Sequence, residues 1–160
     1  MQNNSLIATH EFYIKECLKL AREAADAGEV PVGAMVLRDG EVIAAARNAQ
    51  IGSCDPTAHA EVIALRAASL ATENYRLPGC TLYSTIEPCL MCAGALLHAR
   101  VELVVYGAPE PRAGAATGRV NYFAEMTHLH KLEVLGGVLE EECRELMQKF
   151  FKQRRSGRPD

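Results

Sequence analysis

Two short stretches constrain this chain more than anything else in it: Thr57-Ala58-His59-Ala60-Glu61 and Glu87-Pro88-Cys89-Leu90-Met91-Cys92. Each opens an apolar segment that reads as a helix, so the fold must bring two helix starts, distant in the chain, to one point. Cys89 and Cys92, three apart in a first helical turn, share a face, and the free N–H groups and dipole there favour thiolate, the metal-binding form. One imidazole and two thiolates form a soft N/S set suited to zinc. Three protein ligands, His59, Cys89 and Cys92, leave the fourth tetrahedral position to water, the mark of a catalytic site. Glu61 stands two residues beyond His59. On a helix the two side chains point roughly 200° apart, which places Glu61 poorly as a ligand but suits it as a base. Zinc lowers the pKa of its water towards about 7, and a carboxylate nearby can take that proton and hand it on.

Taken singly, these residues say less. A lone His in an Ala-rich helix is ordinarily a satisfied core residue, and Cys-x-x-Cys alone fits redox use, structural zinc and catalytic zinc about equally. A structural site would normally add a second close Cys/His pair. A redox motif usually follows the first strand of a βαβ unit and needs no His-x-Glu upstream. The joint pattern, His-Ala-Glu and then Pro-Cys-x-x-Cys, each at a helix start, favours catalytic zinc over the other two.

The remaining sequence supplies a frame for these motifs. Thr9 can cap a helix whose apolar stripe includes Phe12, Ile14, Cys17, Leu18, Ala21 and Ala25, and Gly28 ends it. Residues 32–37 and 42–46 are strands joined by Arg38-Asp39-Gly40-Glu41, whose Asp-Gly supplies the positive φ of a tight hairpin turn. A polar loop, 48–57, precedes a helix over 59–70. A strand over 81–85 is followed by a helix from Pro88 to about His98, with Pro88 in its first turn. Further strands are expected at 103–106 and near 132–135, and a last helix at about 139–155. Strands alternating with helices late in the chain imply parallel crossovers, hence an α/β fold: one mixed sheet with helices on both faces.

At 160 residues and 49% hydrophobic content the chain fits a single domain, with a core over about 9–155 and flexible ends at 1–8 and 156–160. Its apolar runs fall far short of the roughly 18 residues that span a bilayer, and its start lacks a basic segment followed by an apolar one. Six scattered cysteines point to free thiols in a reducing, cytoplasmic setting. The net charge of −3 argues against sequence-blind coating of nucleic acid. The terminal cations Arg144, Lys149, Lys152, Arg154, Arg155 and Arg158 are the place to look for a local polyanion contact. Phe150 and Phe151 beside them offer stacking faces, although one Phe in the core and cations at a helix C-terminus are an equally ordinary reading.

The pattern resembles the cytidine deaminase superfamily, and over residues 10–155 it resembles the tRNA-specific adenosine deaminases. Supporting stretches are Glu29-Val30-Pro31-Val32-Gly33-Ala34, Asp55-Pro56-Thr57-Ala58-His59-Ala60-Glu61, Asn74-Tyr75-Arg76-Leu77, Glu87 to Ala95, and Phe150-Phe151-Lys152-Gln153-Arg154-Arg155. The resemblance implies a three-layer α/β/α, cytidine-deaminase-like fold with a mixed five-stranded sheet. It also implies a homodimer with one Zn²⁺ per subunit, and conversion of adenosine to inosine at the wobble position of a tRNA anticodon stem-loop. Asn48 would hydrogen-bond the base beside the Ala60 backbone, although Asn48 can also be read as merely turning the chain. Phe150, Phe151 and Arg154 would meet RNA. The family commonly has an Asp and a Lys in a Gly-rich loop where this chain has Ala108-Pro109-Glu110-Pro111-Arg112, so Glu110 and Arg112 are expected to serve there. Residues 117–124 and Leu129-His130-Lys131 also depart from the family pattern. Three rival readings follow from the same residues: a deaminase of free guanine, cytosine or a related small molecule; a non-catalytic zinc-stabilised RNA-binding module; and a thiol–disulfide oxidoreductase using Cys89 and Cys92.

Overall fold

The structure is a computed structural model that describes residues 2–117 and 120–156, with side chains from Leu6 onward. Arg158 and the rest of 157–160, and positions 118 and 119 of the 117–124 segment, lie outside the described residues. The elements run α1 (Gln2–Asp26), β1 (Gly33–Arg38), β2 (Glu41–Arg47), α2 (Gln50–Ser53), α3 (Ala60–Ala71) and β3 (Cys80–Ile86). They continue with α4 (Leu90–His98), β4 (Leu103–Ala108), α5 (Tyr122–Glu125), β5 (Glu133–Leu135) and α6 (Glu140–Ser156).

Helix α1 starts at Gln2 and not at a Thr9 cap, because no glycine or proline interrupts the chain between them. Its inner face is Ile14, Cys17, Leu18, Ala21 and Ala24, with His10 one turn earlier on the same stripe. Phe12, two residues from Ile14 and so about 200° round the helix, is exposed, and Ala24 replaces the expected Ala25 in the core. Gly28, at φ +79°, ends the helix as expected. The hairpin turn also forms as expected, with Asp39 and Gly40 both at positive φ and Arg38 paired directly with Glu41.

The sheet is mixed and five-stranded, ordered β2-β1-β3-β4-β5. β1 runs antiparallel to β2 and β3, while β3, β4 and β5 are parallel. The parallel crossovers pass through α4 and α5, so each begins beyond the C-terminal end of a strand. Alternate residues of the strands feed two cores. Val36, Leu82 and Val104 pack with α3 and α4 on one face, whereas Leu37, Tyr83 and Val105 pack with α1 and Cys143 of α6 on the other. The result is a three-layer α/β/α sandwich. Gly33 lets the layers close where α1 crosses β1: a Cβ there would collide with the Cys17 carbonyl oxygen. The C-terminal ends of β3 and β2 and the starts of α3 and α4 meet at one end of the strands, and the site lies there.

Candidate metal centre and substrate cavity

His59 and Cys89 are the N-cap residues of α3 and α4, each in extended backbone conformation. The sequence reading put them inside the first turn. In the structure Pro88 precedes the cap, and the angle between His59 and Glu61 cannot be taken from the helical period. The N-cap position has a useful consequence: both ligands approach from the strand side while the helices run away from the centre. Cys92, one turn into α4, is fully buried.

The three donor atoms form a nearly equilateral triangle. Cys89 Sγ lies 3.7 Å from His59 Nδ1 and 3.7 Å from Cys92 Sγ, and Cys92 Sγ lies 3.5 Å from His59 Nδ1. With Zn–S near 2.3 Å and Zn–N near 2.0–2.1 Å, a tetrahedral zinc requires edges of about 3.8 Å for S···S and about 3.6 Å for N···S. The residues therefore fit zinc in donor type and spacing. Disulfide sulfurs, by contrast, sit about 2.05 Å apart. These three residues make up the whole cluster, so the sphere is not closed by a fourth such side chain among the described residues.

Electrostatics favour a bound cation. Cys89 is the readier thiolate: the hydrogen bond from Cys92 is the main cause, and with His59 it outweighs burial and brings the Cys89 pKa down to about 4. The same bond holds a proton on Cys92 and pushes that thiol upward, with burial adding to the shift. A metal would displace that proton. Glu61, the second residue of α3, is 2% exposed, and burial raises its carboxyl above the usual range. A carboxyl whose charged form burial disfavours suits proton uptake and return.

Beside the metal triangle lies a cavity of about 240 Å³ whose lining includes His59, Glu61, Cys89, Asn48, Glu110 and Phe151, between apolar walls from Val30, Val32 and Ile86. Asn48, buried at the end of β2, accepts the Ala60 N–H through Oδ1 at 2.8 Å. A second cleft, of about 590 Å³, is lined by Arg112, Gln148, Lys152 and Arg155 and shares Met147 and Phe151 with the first. Arg112 thus lies next to the metal cavity and not within it.

Phe150 and Arg154 do not join the site. Phe150 is buried at the α1 side of α6, near Arg22 and Ala25, and the Arg154 guanidinium stacks 5.5 Å from its ring centroid. The reason is helical phase. Cys143, Leu146 and Phe150 follow the i, i+3, i+7 spacing of the inward face, so Phe151 is turned to the cavity. Two buried carboxylates, Glu29 and Glu87, were not singled out by the sequence reading. Glu29 accepts the Ile51 and Gly52 N–H groups at 3.1 and 2.7 Å, pinning α2 at the cavity rim. Burial works against ionised Glu87, but the N–H groups of Thr117, Glu110 and Ala116 and the Thr117 hydroxyl reverse that and hold its carboxyl below the usual range. Glu29 stands two residues before Pro31 and Glu87 directly before Pro88, each against an apolar segment, which is the signal that could have exposed them.

Residues 7–108 match the family model for the cytidine and deoxycytidylate deaminase zinc-binding region, which defines the class: a zinc-binding deaminase domain. The chain is 45% identical to the tRNA-specific adenosine deaminase of Haemophilus influenzae over 91% of its own length and 84% of that protein's. A solved structure from a study of A-to-I editing by tRNA:A34 deaminases superposes with a TM-score of 0.81 at 41% identity, covering 84% of this chain and 99% of that one. A guanine deaminase from Nitrosomonas europaea superposes with a TM-score of 0.78 at 25% identity, covering 88% and 83%. The chain belongs to the tRNA-specific adenosine deaminases of the cytidine deaminase superfamily.

Proposed function

We propose that this protein hydrolytically deaminates adenosine to inosine at the wobble position of a tRNA anticodon. The observation that carries the reading is the 3.5–3.7 Å His59–Cys89–Cys92 triangle beside a buried Glu61 in a base-sized cavity. Its likeness to relatives named for that reaction supplies the substrate class.

Zinc, when bound, supplies a Lewis acid that makes water a nucleophile at neutral pH. The protein's own residues do the rest. The net reaction replaces the exocyclic amino group at C6 of adenine by oxygen, with release of ammonia. Glu61 takes one proton from the water and gives it to the ring nitrogen beside C6, then takes the second proton from the same oxygen, now bonded to C6, and passes it to the departing amine as the C–N bond breaks. Asn48, its oxygen engaged by Ala60, has its NH₂ to offer a base acceptor. Val30, Val32 and Ile86 flank the ring and exclude bulk water. Arg112, Lys152 and Arg155 supply cations for the anticodon stem-loop phosphates, next to Phe151 as a stacking face.

The active species is a homodimer with one zinc per subunit, a reading supported by the family and by exposed Leu90 and Met91 on α4. It works in the cytoplasm, where reducing conditions keep both cysteine ligands available for metal. Among the described residues no helix is long and apolar enough to cross a membrane. The test is to incubate the purified zinc-loaded protein with an anticodon stem-loop and, separately, with free adenine, guanine and cytosine, following ammonia and inosine. Turnover of the stem-loop is expected. Conversion of a free base alone would assign the cavity to small molecules, and tight RNA binding without ammonia release would mark a binding module.

A further inference from the structure

The loop between β4 and α5 walls the cavity yet carries little regular structure, so something must fix it. Its apolar content is low, and Pro109 and Pro111 remove two backbone donors. The fastening comes from Glu87, in the two-residue link between β3 and the Cys89 cap, with 2% of its surface exposed. One carboxylate oxygen accepts the Ala116 N–H at 2.8 Å and the Thr117 N–H at 2.6 Å. The other accepts the Glu110 N–H at 2.9 Å and the Thr117 hydroxyl at 2.8 Å. Four donors thus occupy a carboxylate that has no ion-pair partner among the described residues. Peptide N–H groups from both ends of the loop are the counter-charge.

The same loop is tied to the metal ligands through the main chain. Gly114 bridges Cys89, Ala115 donates its N–H to the Pro88 carbonyl at 3.0 Å, and the Glu87 N–H donates to the Ala108 carbonyl at 2.9 Å. Gly114 has no room for a side chain: a Cβ there would collide with the Glu87 carboxyl group. Glu110 and Ala113, within the clamped segment, face the cavity.

We infer that Glu87 is a positioning residue that holds the 110–117 loop as the substrate-selecting wall of the cavity, in fixed register with the Cys89 cap. The inference rests on the proposed deaminase reading only for its kinetic arm. A wall contacts substrate before and during the reaction alike, so loosening it removes uniform binding: KM rises while kcat is largely kept. A carboxyl acting on the metal or on the proton would instead lower kcat.

The test compares wild type with Glu87→Gln, both zinc-loaded. The amide keeps the size but turns an NH₂ towards donors that need an acceptor. Expected are one zinc per chain, at least tenfold faster hydrogen exchange at the Glu110, Ala116 and Thr117 amides, a KM for the stem-loop raised about tenfold or more, and a kcat within about threefold. Unchanged exchange at those amides overturns the inference. So does a fall in kcat or in zinc content at unchanged KM. If Glu87→Gln does not fold, Thr117→Val decides, since it removes one donor and leaves the carboxylate. Local deprotection with a KM raised about threefold supports the clamp, and wild-type exchange and kinetics defeat it. Should wild type itself fail to deaminate the stem-loop, the functional reading falls, while the exchange data still judge the clamp.

Discussion

The side-chain oxygen of Asn48 accepts the main-chain N–H of Ala60 at 2.8 Å, so the residue expected to meet the substrate also satisfies the first orphan donor of helix α3. The donor being an N–H, the amide can be oriented in only one way, with Oδ1 on the helix. Two roles in one residue can be separated by two substitutions. Asn48→Asp keeps the acceptor and should stay within about 0.5 kcal/mol of wild type in denaturant unfolding, whereas Asn48→Ala should lose about 1–2 kcal/mol. Both should lose at least tenfold in kcat/KM on the stem-loop, because both lack the NH₂ donors. Equal stability loss in the two variants would refute the capping role, and full activity of Asn48→Asp would refute the base contact.

Glu61→Ala removes a fully buried carboxyl whose charged form burial disfavours. The variant should fold at least as well as wild type and bind one zinc, while turnover drops by about 10²–10⁴. Rates from single-turnover deamination, with zinc measured in the same sample, would check it. A loss below about tenfold would take the proton-transfer role away from Glu61.

How much of this site could be read from the sequence depends on the kind of signal. His59, Cys89, Cys92 and Glu61 came from residue type and short spacing, which survive ignorance of the fold. The strands were also legible, with ends shifted by a residue or two, because alternation and the Asp39-Gly40 turn are local. What the sequence hid was phase and capping. The motif residues were read as the first helical turn, yet His59 and Cys89 cap the helices from extended backbone, since a ligand must leave the helix axis to face the metal. α2 lay inside what read as a polar loop, because four residues held by the Glu29 carboxylate leave no periodicity to detect. Phe150 and Phe151 are adjacent, and only the packing of α6 against the sheet settles which one is core.

The metal triangle makes a thermal prediction. Zinc at 100 times its dissociation constant stabilises a folded site by about 2.7 kcal/mol, which for a domain of this size is on the order of 5–10 °C in Tm. Chelation should lower the Tm by that amount, and zinc should restore it. Cys92→Ala should start at the lower Tm and ignore the chelator. Mild oxidant should join Cys89 to Cys92 in the stripped protein and spare the loaded one, as read by thiol counting. A Tm indifferent to chelation would leave the cysteines as a redox pair.

His10 contributes a pH dependence of definite sign. Its ring is buried, Nδ1 lies 2.9 Å from the Tyr83 hydroxyl, and burial lowers its pKa below 6.5. The unfolded chain therefore takes up a proton near pH 6.5 that the folded chain still refuses, and ν_U exceeds ν_N between the folded pKa and 6.5. Stability from this residue is complete above pH 6.5 and falls as the pH drops through that value. His10→Gln can keep a hydrogen bond to Tyr83 but cannot titrate. Urea midpoints measured at pH 7.5 and 5.5 with saturating zinc should fall further for wild type than for the variant, and parallel losses would assign the dependence elsewhere.

The adjacent phenylalanines of α6 give opposite expectations from the same substitution. Phe151 is 40% exposed at the junction of the cavity and the cationic cleft, whereas Phe150 is 7% exposed in the layer against α1. Phe151→Ala should leave the Tm almost unmoved and weaken stem-loop binding by about 1–3 kcal/mol, the worth of a base–aromatic stack. Phe150→Ala should destabilise the fold by about 3–5 kcal/mol and weaken binding only as far as the fold is lost. The cations beside Phe151 act differently again, because contacts to phosphate release counterions. Removing Lys152 or Arg155 should reduce the slope of log affinity against log salt by about 0.7 each on single-stranded RNA. If Phe151→Ala bound the stem-loop like wild type and neither cation altered the salt slope, RNA would have to approach the cavity from another side, leaving this cleft without a part in recognition.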